Sequence, residues 1–243
     1  MDHVLREYGL RMTYLREPHV FDDLDQDRIL DDLSDGMSDG YLLPWLHQGL
    51  TSYDHLVLVT DRSSGRYLGF LAANDGATTR ESFLSLEMAF VAAAARGHQL
   101  LRRMIALAVL RIAGQTTTPS VIVARTRNPL CYGIMCETAQ RFRRAVFFPN
   151  PDSVAIDFHA ATLARRIARE IAPNLRLQAT TGALRGGMAM MIRGDDGDAL
   201  ARHPQFAEWP LTAPADQVLA IIDLRGATEA SILDDARRIY RSK

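Results

Sequence analysis

The sequence lacks the features that mark secreted and membrane-spanning proteins. It contains two cysteines among 243 residues, Cys131 and Cys136, and their side chains diverge in a predicted helix, so no disulfide is expected. The N-terminus has no basic start followed by an apolar run, which argues against a secretory signal. The longest apolar stretch, residues 88–95, is too short to cross a bilayer. We therefore expect a cytoplasmic protein that does not associate with membranes.

The sequence also has no surplus of either charge. Its 28 basic and 29 acidic residues nearly cancel, giving a formal net charge of -1. Without an overall positive field, neither nucleic acid nor an anionic membrane is an expected partner. Apolar residues make up 47% and charged residues 23%, which is ordinary for a folded domain. A small metabolite fits this composition better than a polyanion.

Several catalytic and metal-binding signatures are missing. There is no Gly-x-Ser-x-Gly, His-Glu-x-x-His, Cys-x-x-Cys or Walker loop, and the seven histidines lack ligand spacing. Eight aspartates lie between residues 22 and 39, but without the spacing of a calcium loop. No metal site is therefore predicted.

Apolar periodicity and turn residues divide the chain into strands and helices. Strands are predicted at 10–15, 56–59, 67–71, 83–91, 120–124, 146–148 and 218–222. Helices are predicted at 22–39, 98–112, 128–142, 156–171 and 227–241. Two further segments stay ambiguous: 41–46 is a short helix or a packed loop, and 184–192 is a strand or a packed loop.

The junction between the strand at 83–91 and the next helix carries the strongest functional signal. A helix that opens directly after a buried strand points unpaired backbone N–H groups and the positive end of its dipole at one spot. Such a spot suits a phosphate. Arg96, Arg102 and Arg103 are candidate phosphate partners because guanidinium groups bind phosphate bidentately. For at least one of Arg102 and Arg103, the alternative is that the side chain lies on a solvent-exposed face of the helix.

This junction resembles motif A of the GNAT acyltransferase superfamily. In that motif a strand ending in Val leads to an Arg/Gln-Gly-x-Gly-x-Gly/Ala turn that holds the pyrophosphate of acyl-coenzyme A. Here Val91 is followed five residues later by Arg96-Gly97. The sequence departs from the motif at Gln99 and Leu101, where the family usually has Gly or Ala. The order of predicted elements over residues 10–148 is also that of a GNAT domain.

The resemblance implies the fold class. We expect an α/β protein with a GNAT-like mixed, mostly antiparallel central sheet flanked by helices, formed by residues 1–151, followed by a C-terminal elaboration at 152–243. The strand at 218–222 can complete the main sheet beside the strand at 146–148, which makes 152–216 an insertion. Alternatively, the segment after 152 forms a small second domain.

The resemblance also implies a site. Glu87 matches the carboxylate that acts as the base, directly or through water, while a backbone N–H of Phe90 or Val91 polarises the acyl carbonyl. A glutamate that faces solvent is the alternative for Glu87. The residues expected to bind acyl-coenzyme A, with an acetyl or longer acyl group, are Phe90, Val91, Arg96, Gly97, His98, Gln99, Leu100, Leu101, Arg102 and Asn128. His98 is expected to contribute its backbone N–H rather than its ring.

The general acid departs from the family pattern. That residue is usually a Tyr about seven positions after the Asn, and here the position holds Met135. Tyr132, one turn earlier, is the candidate by residue type, although a packed aromatic is the commoner role for such a residue.

Two functions follow from these features. The first is an N-acyltransferase that acts on a small-molecule amine, which the aspartates at 22–39 would attract, with the methionines at 188–191 walling a longer acyl chain. The second is a catalytically silent GNAT-like module that senses a ligand or binds a partner, which the departures at Gln99, Leu101 and Met135 favour. A homodimer is compatible with both.

Overall fold

The computed structural model describes residues 2–5, 8–20, 25–34, 50–150, 157–186 and 216–242. These form two compact units. Unit 1 comprises Met1–Asp75, Leu86–Thr118 and Ala236–Lys243, and unit 2 comprises Gly76–Ser85 and Pro119–Asp235. Neither unit is one continuous segment, so the domain boundary at residue 151 stays a prediction.

Unit 1 is built on an antiparallel set of strands. They are β1 (Asp2–Leu5), β2 (Leu10–Arg16), β3 (His55–Asp61), most of β4 (Tyr67–Ala77) and the second half of β5 (Ser82–Val91). The β3 to β4 hairpin is closed by Asp61, whose Oδ1 accepts from the backbone N–H groups of Ser63 and Ser64 at 2.9 and 2.8 Å. Such an Asx turn explains why a polar, Gly-containing segment separates two apolar runs.

Helices cover these strands. Helix α1 (Gln26–Ser34) buries Ile29, Leu30 and Leu33, which pack in one cluster with side chains of β3 and β4. Helix α2 (Leu100–Ala113) packs against β2 and β3. Because strand side chains alternate, each strand supplies apolar groups to both layers, which is why β3 is buried almost throughout.

Unit 2 is organised around β10 (Gln217–Asp223), whose central residues are all buried. The other strands are the start of β5, β6 (Val121–Thr126), β7 (Val146–Phe148), β8 (Arg176–Gln178) and β9 (Ala183–Arg185). Along its length β10 pairs antiparallel with β6, and it also pairs antiparallel with β9 near its start and with β7 near its end. The expected pairing of the strand at 218–222 with that at 146–148 is therefore confirmed.

Helices α3 (Pro129–Arg141) and α4 (Phe158–Ile171) belong to unit 2, and α5 (Glu229–Arg241) starts there and ends in unit 1. The apolar stripe of α4, with Leu163 and Ile167 fully buried, packs against inward-facing residues of β6 and β10. The stripe also includes Ile171, which is partly buried against the same cluster, and Ile156, which lies outside the described residues. Among the described helices, none is long and apolar enough to cross a membrane.

The predicted fold class is confirmed: the chain is mixed α/β and its strands pair mostly antiparallel. Each predicted strand before residue 150 is present, as are the five predicted helices, with the first reduced to Gln26–Ser34 among the described residues. Strands β1 and β8 were not predicted. Of the two ambiguous segments, 184–192 begins as strand β9, whereas 41–46 and the methionines at 188–191 lie outside the described residues.

An ion-pair network fixes the turn before β5 in unit 2. The Glu81 side chain is 5% exposed and accepts from Arg166 Nε at 3.2 Å, Arg225 Nη1 at 3.0 Å and the Thr78 hydroxyl at 2.5 Å. Burial raises the pKa of the Glu81 carboxyl, but these hydrogen bonds and the two cationic charges outweigh it and leave the pKa below its ordinary 4.5. The network ties the turn to α4 and to the end of β10.

We expect the substitution Glu81→Gln to lower the free energy of unfolding at pH 7 by about 2–3 kcal/mol, because it leaves Arg166 without its counter-charge. A carboxyl whose pKa is depressed by folding stabilises the protein above its unfolded pKa, and this contribution is lost as the pH falls through the folded pKa. Urea denaturation of the parent chain and of Glu81→Gln should therefore give free energies of unfolding that differ less below about pH 4 than at pH 7.

The exposed Glu170 on α4 supplies the matched control. Glu170→Gln should change the free energy of unfolding by less than about 0.5 kcal/mol. Equal stability of Glu81→Gln and the parent chain at pH 7 would contradict a stabilising network.

Candidate functional site

The candidate site in unit 1 begins where β5 ends. The backbone N–H of Ala92 donates to Leu68 O on β4 at 2.8 Å, which is the last ladder bond before the chain leaves the sheet. A short 3-10 turn, Ala93–Ala95, carries the chain away from the strand, and α2 then opens at Leu100. The predicted strand-to-helix junction is therefore present, with the helix starting two residues later than predicted.

Two residues of this junction have left-handed backbone conformations. Gly97 has φ +90°, and among the described residues no heavy atom lies within 4 Å of the position that a Cβ would occupy. Backbone conformation rather than crowding therefore requires glycine here. Gln99 has φ 56° and ψ 29°, so a side-chain-bearing residue occupies the left-handed region where a glycine would be unstrained.

The Gln99 side chain does not cap α2. Its Oε1 instead accepts from Arg102 Nη1 at 3.2 Å, while the Gln99 carbonyl accepts the first intrahelical bond from Arg103 N at 3.1 Å. The amides of the first turn of a helix have no partner within the helix, and the dipole places positive charge beside them. The start of α2 thus has the chemistry to bind an anion.

The three arginines have different environments. Arg96 is exposed beside the turn, whereas Arg102 and Arg103 are 7% and 1% exposed. Neither of the latter two lies on a solvated helix face, so that alternative is wrong for both. The Arg103 guanidinium donates inward to Ser242 O and lies 4.9 Å from the centre of the Tyr8 ring, which contradicts its prediction as a phosphate partner.

The remaining predicted residues of unit 1 follow β5 into α2. Glu87, Val91, His98 and Leu101 are half-buried, whereas Phe90 and Leu100 are buried. A half-buried Glu87 is not simply a solvent-facing glutamate, although its role as a base stays a prediction. Unit 1 therefore holds the base candidate, the two oxyanion-donor candidates and the phosphate turn, namely Glu87, Phe90, Val91, Arg96, Gly97, His98, Gln99, Leu100, Leu101 and Arg102.

The other predicted residues belong to unit 2. Asn128 is the N-cap of α3, as predicted, and its Oδ1 accepts from Leu130 N at 2.8 Å and Cys131 N at 3.3 Å. Contact of Asn128 with a cofactor stays a prediction. Tyr132 is fully buried, donates its hydroxyl to Pro149 O at 2.9 Å and packs its ring against Phe147. These contacts are those of a packed aromatic, the alternative to the predicted acid.

A polar relay in unit 1, with Tyr14 and His55 buried and Asp75 about half exposed, was not predicted. The Tyr14 hydroxyl lies 2.8 Å from His55 Nδ1, and His55 Nε2 lies 2.9 Å from Asp75 Oδ1. Burial raises the pKa of the Tyr14 hydroxyl above its ordinary value, and the negative charge of Asp75 adds to this rise. The three residues come from β2, β3 and β4, so their positions in the sequence gave no spacing by which to group them.

The geometry of the turn leads to a prediction about Gly97. We expect Gly97→Ala to lower the free energy of unfolding by at least about 1–2 kcal/mol, because an L-residue is strained at this φ although space for its methyl group is open. Thermal or urea unfolding would measure the change.

Gly114, the C-cap of α2, is the matched control because its φ is -77°. Gly114→Ala should leave stability unchanged or raise it by about 0.4–1 kcal/mol. A Gly97→Ala variant as stable as Gly114→Ala would show that residue 97 does not require a left-handed conformation.

Comparison with known proteins gives similarity of fold only. No protein-family model matches the chain, and no curated protein matches it. Among solved structures, a ribosomal-protein-S5-alanine acetyltransferase from Vibrio fischeri is 10% identical with a TM-score of 0.44, the match covering 94% of this chain and 100% of that one.

Two further matches are similarly distant. A diaminobutyrate acetyltransferase from Paenibacillus lautus, solved with its substrate and coenzyme A, is 10% identical over 90% of this chain and 99% of that one, with a TM-score of 0.44. A GNAT family N-acetyltransferase from Escherichia coli, solved with coenzyme A, is 16% identical over 51% of this chain and 67% of that one, with a TM-score of 0.38.

Proposed function

We propose that the chain is an acyl-coenzyme A-dependent N-acyltransferase that moves an acetyl or longer acyl group to a small-molecule amine. The observation that carries this proposal is the pair of left-handed residues, Gly97 and Gln99, directly before the first turn of α2. Such a turn aims successive backbone N–H groups at one point, which is the geometry that an anionic phosphate requires.

The pyrophosphate of coenzyme A is proposed to bind at this turn. Gly97 presents open space where another residue would carry a side chain, so a phosphate oxygen can approach the backbone. Arg96 is exposed beside the turn and can form a charge-assisted bond to the same phosphate. Gln99 keeps the left-handed backbone of the turn, and its side-chain oxygen is engaged by Arg102.

Glu87 is proposed as the base. The amine nitrogen attacks the thioester carbonyl carbon, and the Glu87 carboxylate accepts the proton that the nitrogen loses, directly or through water. The backbone N–H of Phe90 or Val91 stabilises the negative charge that develops on the carbonyl oxygen. The carbon–sulfur bond then breaks, the amide product forms, and the departing thiolate takes a proton from solvent.

The amine acceptor is proposed to approach α1, which belongs to the same unit as the phosphate turn. Asp27 and Asp31 on α1 are exposed, whereas Asp32 accepts from Tyr67 N at 2.9 Å. Two solvated carboxylates on one helix raise the local concentration of a cationic amine. Acceptors with more than one amino group should therefore be preferred over neutral ones.

A second function is supported by the contacts of Tyr132. Its hydroxyl is bonded to Pro149 O, and Met135, at the family position of the acid, is 1% exposed and cannot donate a proton. A module that binds coenzyme A or a related nucleotide without transferring an acyl group is compatible with these residues. Binding together with undetectable transfer would favour this second function.

Titration with coenzyme A tests the cofactor proposal. We expect the chain to bind coenzyme A and its acetyl, octanoyl and palmitoyl thioesters, with affinity that falls as salt is raised because phosphate contacts are electrostatic. Isothermal calorimetry measures this affinity, and the order of the three thioesters reports the preferred acyl length. Absence of binding to all four compounds would overturn the acyltransferase and any module that binds coenzyme A.

The substitution Glu87→Gln tests the base. We expect kcat at pH 7 to fall by about 10²–10⁴-fold, while the affinity for acetyl-coenzyme A stays within about twofold, because the amide keeps the shape of the side chain but accepts no proton. Release of free thiol during transfer to a panel of polyamines measures the rate.

The control is Glu137→Gln, which alters an exposed glutamate on α3 and should leave both quantities unchanged. A Glu87→Gln variant that turns over at the parent rate would remove Glu87 from the mechanism.

A further inference from the structure

Tyr8 lies behind the phosphate turn, between two side chains of unit 1. Its ring centre is 4.6 Å from that of His98, at an interplanar angle of 45°. The Arg103 guanidinium carbon lies 4.9 Å from the same ring centre, and Nη2 lies 3.4 Å from the Tyr8 hydroxyl. The first distance is that of an aromatic pair and the second is that of a cation–π contact.

Arg103 connects this stack to the end of the chain. It stands in the first turn of α2, where side chains lean toward the helix N-terminus, so its guanidinium lies close to the turn that precedes the helix. Its Nη2 donates to Ser242 O, just after α5, and the side chain is 1% exposed. A long side chain fixed in this way cannot move without repacking its surroundings.

The turn requires such support because its conformation is strained. Gln99 carries a side chain in the left-handed region, and Gly97 has open space around its Cβ position rather than packed neighbours. A strained backbone persists only where surrounding structure holds it. His98 lies between these two residues, and its ring is the part of the turn that contacts Tyr8.

We propose that Tyr8 is a positioning residue for the phosphate turn. Through His98 it holds residues 97–99 in the conformation that directs their N–H groups toward one anion, and through Arg103 it couples that conformation to the first turn of α2. This inference rests on the proposed function, because it assigns Tyr8 to the binding of the coenzyme A pyrophosphate. Tyr8 itself does not contact the ligand in this scheme.

The charge of Arg103 also supports a link between Tyr8 and anion binding at the turn. A cation at the positive end of a helix dipole is unfavourable, and a buried one is poorly screened by salt. Arg103 places a cation that is 1% exposed in the first turn of α2, and its donation to Ser242 O also sets it beside the negative end of α5. A pyrophosphate bound at the turn adds a second favourable interaction for this charge. The cation–π contact with Tyr8 thus holds Arg103 where its charge favours an anion without touching it.

The test compares four variants in calorimetric titrations with coenzyme A. Tyr8→Ala removes both ring contacts and should weaken affinity about tenfold. Tyr8→Leu keeps the apolar bulk without a π face and should weaken affinity about threefold or more, which preserves the test if the alanine variant does not fold. Tyr8→Phe keeps the ring and should restore affinity to within about twofold of the parent chain, since the hydroxyl contact is long.

Tyr53→Ala is the matched control. Tyr53 is a half-buried tyrosine of the same unit that packs against the cluster of α1, β3 and β4 side chains. The Tyr53→Ala substitution should lower the melting temperature without weakening coenzyme A affinity more than about twofold. Circular dichroism at the titration temperature checks that this variant is folded.

The outcomes separate the two claims. If the parent chain binds no coenzyme A, the proposed function and this inference fall together. If the parent binds and neither Tyr8→Ala nor Tyr8→Leu loses affinity, the positioning role alone is overturned. The same holds if Tyr53→Ala loses as much affinity as the Tyr8 variants, because the effect is then one of general stability. The inference is supported if Tyr8→Ala and Tyr8→Leu lose affinity for coenzyme A while Tyr8→Phe and Tyr53→Ala retain it.

Discussion

The reversal of backbone handedness at Gly97 and Gln99 is the constraint on which the candidate site depends. A strand that leaves its sheet can begin a right-handed helix in many directions, and these two left-handed residues select one of them. Glycine meets the requirement at residue 97 without strain. At residue 99 a glutamine meets it at a conformational cost of about 1–2 kcal/mol. Strain retained beside a helix N-terminus is typical of a binding turn.

Two side-chain contacts support the strained backbone of the turn. The Gln99 side chain accepts a hydrogen bond from Arg102, and the ring of the adjoining His98 packs against Tyr8. Contacts of this kind come from the chain's own side chains and support the conformation of the turn. In the proposed binding of coenzyme A, a turn that is already held in place loses less entropy, and affinity is higher for the same contacts.

The sequence predicted local elements well because their signals are local. Asn128 and Pro129 begin α3, as cap preferences require. Gly114 follows the last residue of α2, as predicted, although its φ of -77° is not the left-handed conformation that favours glycine there. The burial of Arg102 and Arg103 was not predicted, because an apolar stripe at Leu101 and Ile105 indicates one buried face. In the structure α2 is buried nearly all round from Arg102 to Val109. Apolar periodicity cannot distinguish a helix with one buried face from a helix buried on nearly all sides when a second layer covers the polar face.

Contacts between distant residues account for most of what the sequence could not predict. The relay of Tyr14, His55 and Asp75 joins three strands. Strand β8, Arg-Leu-Gln, has one apolar residue, so it lacks the apolar run that marked β7, a strand of the same length. Tyr8 and Arg103 are 95 positions apart. Neither residue type nor spacing marks such pairs, which become neighbours only once the chain has folded.

Met135, which departs from the GNAT pattern, and Glu87, which matches it, matter to different degrees in the proposed reaction. A thiol has a pKa near 8.5, so a thiolate is a competent leaving group near neutral pH, and an acid at the position of Met135 contributes little to its departure. An alkylamine has a pKa near 10.4 and must lose a proton during its attack, so the base matters more. The burial of Tyr132 therefore weakens the case for catalysis less than the loss of Glu87 would. In the proposed reaction the residues that matter most therefore belong to unit 1, where Glu87 is on β5 and the turn at 97–99 follows that strand.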